Sequence, residues 1–335
     1  MKVERKAAQQ ISRANHILAA CHVSPDGDAI GSLLGLGLGL GRIGKQVMLV
    51  CADPVPEQSR HLPCWELIVP LDPDGIEKVF QAARSRAFDL FVSLDCSDLA
   101  RLGKAYNASL LANVPIINID HHATNVGFGK INWIEPTAAS TTQLVARLLT
   151  AMRISFTPDI ATCLLNGLVT DTLGFRTSNT TTAVLETAVQ LMNAGASLSE
   201  LSDRIFNHRP LGTILMWSHT LQNLHLDGRI LWSEITQTMR QRTGYQENGD
   251  AGLVNFINTA EEADIAVIFD ELTDGRINVS MRATPGYDVS QVALALGGGG
   301  HAQAAGCTLP GPLEAARTRT LDMLRQLQAD PAMQR

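Results

Sequence analysis

VPIINIDHHATN, residues 114–125, is a β-type apolar run that breaks off in an acid and two imidazoles. Three runs of the same kind precede it: HILAACHV at 16–23, QVMLVCAD at 46–53 and FDLFVSLDCSD at 88–98. The helical stretch GSLLGLGLGLGRIG, 31–44, lies between the first two. Short strands alternating with helices predict a parallel α/β sheet. In such sheets ligands gather beyond the carboxyl ends of the strands. Asp26, Asp28, Asp95 and Asp120 each fall just after an apolar run, so four carboxylates are predicted on one rim. Downstream, STTQLVARLLTAM (140–152) and ATCLLNGLVTDTLGF (161–175) read as helices, the second carrying Asp171 near its end.

A chain of 335 residues exceeds the usual single domain, so two are expected. Residues 186–225 are helical and polar-interrupted and read as a connector. RILWSEI (229–235), ADIAVIFDEL (263–272) and RINVSMRA (276–283) then read as strands, with Thr273-Asp274-Gly275 supplying Asp-Gly turn chemistry between the last two. A helix running into four glycines follows in DVSQVALALGGGGHAQAAGC (288–307), and the charged helix LEAARTRTLDMLRQLQ (313–328) closes the chain. The expected divisions are 1–185, 186–225 and 226–335.

Composition narrows the class. The chain is 45% hydrophobic with ordinary glycine and proline content, which fits a globular enzyme and excludes fibrous or disordered classes. Cys21, Cys51, Cys64, Cys96, Cys163 and Cys307 lie far apart with no C-x-x-C, a spacing that suits neither a disulfide framework nor a zinc ribbon and points to a reducing cytoplasm. No export signal and no membrane span is read from the sequence. A net charge of -6 argues against a general grip on long duplex nucleic acid, which rests on neutralising many phosphates. A small or short anionic ligand held through metals is compatible with it.

His22-Val23-Ser24-Pro25-Asp26-Gly27-Asp28 places an imidazole and two carboxylates in one loop after a buried strand. Packing two acids so closely is costly unless cations or protons intervene. Taken alone, the loop could be a solvated Asp-Gly turn. Asp95 and Asp120-His121-His122 end two further strands, and three acidic strand ends on one rim argue for a shared task. Mixed histidine and aspartate donors without thiolates suit Mn²⁺, Mg²⁺ or similar ions better than structural zinc.

The ordered set HVSPDGDAIGS (22–32), SLDCSD (93–98), IDHHATN (119–125) and LVTDTLGFR (168–176), with GGGGHAQAAGC (297–307) behind it, resembles the DHH phosphoesterase superfamily with its DHHA1 domain. Within it, the nano-RNase and pAp-phosphatase branch is the nearest likeness, and the resemblance covers nearly the whole chain. It implies a parallel-sheet DHH domain plus a smaller α/β DHHA1 domain, with the active site in the cleft between them. Position by position it implies two divalent ions, Mn²⁺ first with Mg²⁺ or Co²⁺ as alternatives. His22, Asp26 and Asp95 would hold one ion. Asp28, Asp95, His121 and Asp171 would hold the other, with Asp95 as the bridge. Asp120 is better suited to orienting an imidazole, and His122 is left to face substrate. The implied substrates are short RNA or DNA oligonucleotides or 3′-phosphoadenosine 5′-phosphate (pAp), and a homodimer is compatible with the family.

Arg176 could fork onto phosphate or form a structural ion pair; Asn125 and Ser140 could as readily cap a turn or helix. In the second half, Gly297, Gly298, Gly299, Gly300 and His301 are expected to bring backbone N–H groups to a nucleotide phosphate at a helix start. His301 could stack on a base, and Arg282 could pair with a terminal phosphate. Gly39-Leu40-Gly41-Arg42-Ile43-Gly44 matches the dinucleotide fingerprint G-x-G-x-x-G, but it sits late in a helical run, where small residues serve packing. The rival functions are a cyclic-dinucleotide phosphodiesterase of the same superfamily, an NAD-dependent oxidoreductase, and a catalytically silent nucleotide-binding regulator.

Overall fold

The computed structural model describes residues 2–246 and 249–329. Contacts divide the chain into two compact units, Met1–His208 and Arg209–Arg335. The first unit contains, in order, α1 (Val3–Arg13), β1 (His16–Ala20), α2 (Gly27–Gly41), β2 (Gln46–Cys51), β3 (Ile68–Pro70), α3 (Pro73–Ser85), β4 (Leu90–Leu94), β5 (Ile116–Asp120), β6 (Ile131–Ile134), α4 (Thr141–Ala151), α5 (Pro158–Asp171), α6 (Thr182–Asn193) and α7 (Leu198–Phe206). Its six strands are all parallel, in the order β3-β2-β1-β4-β5-β6. The chain runs from β1 to one edge, then returns to lay β4 on the other side of β1. β1 and β4 thus flank the switch point, where a crevice opens beyond the strand ends.

Helices cover both faces of this sheet, so its strands are apolar on both sides. Ile17 and Ala19 of β1 enter the core shared with α1, α2, α4 and α5, while Leu18 and Ala20 enter the smaller core shared with α3. α2 carries six glycines, each worth about 1 kcal/mol of helix propensity relative to alanine. Close packing offsets that cost. A Cβ at Gly31 would fall 2.4 Å from the Cys163 carbonyl oxygen of α5, one at Gly35 would fall 2.4 Å from Leu164 Cδ2, and one at Gly39 2.7 Å from Leu149 Cδ1. The G-x-G-x-x-G match therefore begins on a helix-packing face. Among the described residues no helix is long and apolar enough to cross a membrane.

The second unit contains α8 (Leu211–Gln222), β7 (His225–Asp227), β8 (Ile230–Ile235), α9 (Gln237–Thr243), α10 (Leu253–Ile257), β9 (Ile265–Glu271), β10 (Ile277–Ala283), α11 (Val289–Ala295), β11 (Gly299–His301), β12 (Ala304–Leu309) and α12 (Leu313–Ala329). The sheet order is β11-β12-β10-β9-β8-β7, parallel only between β8 and β9. Ile277, Val279, Met281 and Ala283 of β10 face the core made with α11 and α12, which leaves Asn278, Ser280 and Arg282 on the opposite face. Gly275, at φ 82°, makes the expected turn between β9 and β10.

The structure departs from the sequence reading in two places. The stretch 186–225 divides between the units: α6 and α7 pack onto the first, and α8 packs into the second through Met216. The glycine run does not open a helix. Gly297, at φ 83°, follows the end of α11, and Gly299–His301 is an edge strand in a hairpin with β12. A Cβ at Gly298 would fall 2.1 Å from the Gly306 carbonyl oxygen and one at Gly300 2.5 Å from that of Ala304. Strand-to-strand approach explains these two glycines, and the helix end beside them is the carboxyl end of α11, not an N-terminus that would attract an anion.

Candidate metal centre

Three strand ends and two helix ends of the first unit meet in one cluster of acids and imidazoles. His22 lies just past β1 and is buried. Its Nδ1 is 2.7 Å from the Val23 carbonyl oxygen, which can only accept, so Nδ1 is a donor and, in the neutral ring that a metal would bind, Nε2 carries the lone pair. Nε2 points at Asp95 Oδ2 (3.4 Å) and Asp26 Oδ1 (3.9 Å). Neighbouring segments hold this loop in place. Val23 N–H donates to the Arg101 carbonyl at 2.7 Å, and the N–H of Ser24, itself at φ 51°, donates to Asp53 Oδ2 at 2.7 Å.

Asp26 caps α2, accepting from the amides of Asp28 and Ala29 at 3.0 Å each. Asp28, in the first turn of α2, is fully buried and accepts from the N-terminal amides of α4: Thr141 N–H at 2.6 Å and Thr142 N–H at 2.9 Å. A helix N-terminus is a ready site for a carboxylate. Gly167 makes room for it, since a Cβ there would sit 2.7 Å from Asp28 Oδ1.

Asp95 occupies the centre. It follows β4 at φ 56°, a conformation uncommon for a residue with a side chain and a form of strain that concentrates at functional sites. Its N–H still continues the ladder to the Ile119 carbonyl at 3.0 Å. The two carboxylate oxygens face different groups. Oδ2 faces His22, whereas Oδ1 accepts from Thr141 Oγ1 at 2.9 Å and lies 3.5 Å from His121 Nε2. His121 Nε2 is also 3.2 Å from Asp171 Oδ2 and 3.9 Å from Asp28 Oδ2. Asp171 ends α5, and the turn after it holds Leu173, Gly174 and Phe175 all at positive φ.

Asp120 is used locally. It accepts from the amides of His121 (2.8 Å) and His122 (3.2 Å), from His122 Nδ1 (2.8 Å) and from Asn125 Nδ2 (2.6 Å). These bonds fix the His122 ring with its proton on Nδ1. Asn125 thus does more than cap a turn, while Ser140 caps α4 by accepting from Gln143 N–H. Arg176 makes no ion pair among the described residues: its Nε donates to the Leu173 carbonyl at 2.6 Å, and the guanidinium lies over Phe206. Thr141, which touches both Asp28 and Asp95, was missed in the sequence. Its one local signal is Ser140-Thr141-Thr142 ahead of an apolar helix, an N-cap pattern that says nothing of partners 113 and 46 residues away.

Ligand chemistry fits a pair of cations. His22, Asp26 and Asp95 offer atoms within 4.8 Å of one another, as do Asp28, Asp95 and His121, and Asp95 belongs to both sets. A third set, Asp95, Asp120 and His122, includes the Asp120 carboxylate already engaged by four donors. All donors are oxygen or imidazole nitrogen, as hard or borderline divalent ions prefer.

Among themselves these side chains balance charge by holding protons. Burial disfavours the charged form of His22, but its bond to Asp95 and the charges of Asp26 and Asp95 outweigh that and bring its pKa to about 9. His121 and His122 are raised in the same way, by Asp171 and Asp120 respectively, against burial. Burial, with Asp171 and Asp95 nearby, pushes Asp28 up. Asp171 is pushed to about 6, again chiefly by burial. Asp95 goes the other way: burial would raise it, yet its bond to His22 and the three imidazoles hold it far below the carboxylate range.

The signs give a prediction. Asp171 rises from 3.8 to about 6 and His22 from 6.5 to about 9 on folding, so both favour the folded state when protonated. Their contributions are lost as pH rises through those folded values, while the opposing loss from Asp95 lies at far lower pH. EDTA-treated protein should therefore melt at a lower temperature at pH 9 than at pH 6. Saturating Mn²⁺ should reverse the trend, because metal binding needs the ligands deprotonated. Scanning calorimetry across that range checks it, and an unchanged trend with metal would count against a metal centre here.

Comparison with known proteins points the same way. A model of the DHH family, N-terminal domain, matches residues 16–168, and one of the DHHA1 domain matches residues 237–330. The chain is 35% identical over 319 residues to the bifunctional oligoribonuclease and PAP phosphatase NrnA of Thermus thermophilus, an alignment spanning 92% of this chain and 89% of that protein. It is 25% identical over 325 residues to the cyclic-di-AMP phosphodiesterase PdeA of Listeria monocytogenes, spanning 90% of this chain and 46% of that protein. Among solved structures, an exopolyphosphatase-related protein from Bacteroides fragilis has the same fold, with a TM-score of 0.88 at 24% identity over 98% of this chain and 96% of that one.

Proposed function

This chain belongs to the DHH family and carries a DHHA1 domain, and from that premise we propose that it is a metal-dependent phosphoesterase acting on short nucleotides. Its substrates in this reading are oligonucleotides of a few residues, cleaved to nucleoside 5′-monophosphates, and 3′-phosphoadenosine 5′-phosphate, cleaved to AMP. The observation that carries the reading is Asp95, one carboxylate whose two oxygens face two separate histidine–aspartate sets.

In this reading His22, Asp26 and Asp95 hold one Mn²⁺, and Asp28, Asp95, His121 and Asp171 hold a second. Two such ions, when bound, lower the pKa of a water and neutralise phosphate oxygens. Asp120 fixes the His121-His122 turn and keeps the His122 proton on Nδ1, so the ring cannot rotate away from the rim. Because Asp120 and Asp95 raise its pKa, His122 can reach substrate protonated and donate to the leaving oxygen. In the second unit, Arg282 is the anion contact. Among the described residues its guanidinium has no carboxylate within ion-pair distance, and burial pulls its pKa down with Asp250 opposing, so a phosphate would supply a partner for its charge. Gly298, Gly299, Gly300 and His301 remain candidate substrate contacts through the backbone of an edge strand.

Product analysis tests the reading. With Mn²⁺, a ribodinucleotide should yield 5′-monophosphates and 3′-phosphoadenosine 5′-phosphate should yield AMP, both abolished by EDTA. Cyclic di-AMP cleaved faster than either would replace it with the activity named for the Listeria relative.

A further inference from the structure

We propose that Asn255 is a positioning residue that aims the Arg282 guanidinium at substrate phosphate, an inference that rests on reading Arg282 as the phosphate contact. Arg282 lies on the polar face of β10 with Asn278 and Ser280. Its Nε donates to Asn255 Oδ1 at 2.7 Å, and its Nη1 donates to the Met281 carbonyl at 2.9 Å. Nη2 makes no hydrogen bond among the described residues. The guanidinium is planar, so tying Nε fixes the plane and leaves the Nη edge as the fork for an oxyanion. Asp250 is close enough for its charge to be felt at Arg282 but makes no ion pair with it, which leaves the fork for an incoming anion.

Asn255 can hold this aim only if its own helix is held, because α10 is five residues long and a helix so short has little stability of its own. The turn before it is clamped. Asp250 Oδ1 accepts from Gly252 N–H at 2.7 Å, and the Asp250 carbonyl accepts from Trp217 Nε1 at 3.1 Å and from Leu253 N–H at 3.0 Å. Arg209 Nη1 donates to the Ala251 carbonyl at 2.9 Å while its guanidinium lies 4.6 Å from the Trp217 ring centroid. Ala251 and Gly252 are both at positive φ, so the turn has one tight conformation. On its inner side α10 buries Leu253, Val254 and Ile257 against Met216 of α8 and Ala266 and Ile268 of β9. The rigidity of α8 and this turn is thereby passed to the arginine.

A double-mutant cycle tests the proposal. Asn255→Ala should raise KM for a ribodinucleotide and for 3′-phosphoadenosine 5′-phosphate by about tenfold, the scale of one hydrogen bond to a charged group, with a much smaller change in kcat. Arg282→Ala should raise KM further. The double variant should match Arg282→Ala within about twofold, because without the arginine there is nothing left to aim. Asn255→Asp should also raise KM without lowering Tm, since a fixed carboxylate would hold the arginine but compete with phosphate. Independent, multiplying losses in the double variant, or an Asn255→Ala that lowers Tm and leaves KM alone, would overturn the proposal by itself. Arg282→Ala with an unchanged KM would instead overturn the reading on which it rests.

Discussion

Asp95→Asn ends Mn²⁺-dependent release of nucleoside monophosphate, with a fall of about 10³-fold or more in kcat/KM. Asparagine keeps the shape of the carboxylate but removes its charge and turns an NH₂ toward one of the two groups it serves. If His22 and Asp26 form one set and His121, Asp28 and Asp171 the other, neither is complete without the shared oxygen pair. Charge stabilisation of several kcal/mol is at stake, and each 1.36 kcal/mol is a factor of ten in rate. Monophosphate release under saturating Mn²⁺ measures the effect, and thermal melting separates lost chemistry from lost fold. Near-normal turnover by this variant would sink the two-metal reading.

Gly31→Ala has a large expected effect on both stability and metal binding. Its new methyl would lie 2.4 Å from a backbone oxygen, that of Cys163, and backbone cannot swing aside as a side chain can. α2 and α5 must separate, at a cost of about 3 kcal/mol or more, which in a unit of this size lowers Tm by roughly 6–12 °C. Because α2 begins with Asp26 and Asp28 and α5 ends with Asp171, the same separation moves carboxylates apart, so Mn²⁺ affinity should fall with stability. Gly41→Ala is the control: a Cβ there meets nothing within 4 Å, and the gain in helix propensity should leave Tm unchanged or slightly raised. Equal losses from both variants would show that propensity, not packing, is being measured.

What the sequence carried was mainly the sheet core and the acids that end its strands. β1, β2, β4 and β5 were legible because strands buried on both faces must be continuously apolar, and a sudden Asp or His at the end of such a run is conspicuous. α1, α3, β3 and β6 were not read. β3 is three residues and β6 four, too short for a period to show. The glycine run was read as a helix start because glycine permits nearly every backbone conformation and so does not announce which one is used. Its use became visible only with Gly306 and Ala304 beside it. The same limit hid Thr141 and Asn255, which act on partners 113, 46 and 27 residues away. A polar residue on a helix gives no sign of where its bond will land. Asp120 was separable from the ligands by sequence reasoning because an acid immediately before two histidines is well placed to bond the turn it begins.

The strand orders also bear on how the chain behaves when crowded. Both sheets are open, and an open edge is a template on which another chain can pair and aggregate. Here the four edges are β3, β6, β11 and β7, none longer than four residues; one ends in Pro70 and another is largely glycine. Such edges offer too few unpaired amides to seed a continuing sheet. Self-association of this chain therefore has little to gain from strand continuation.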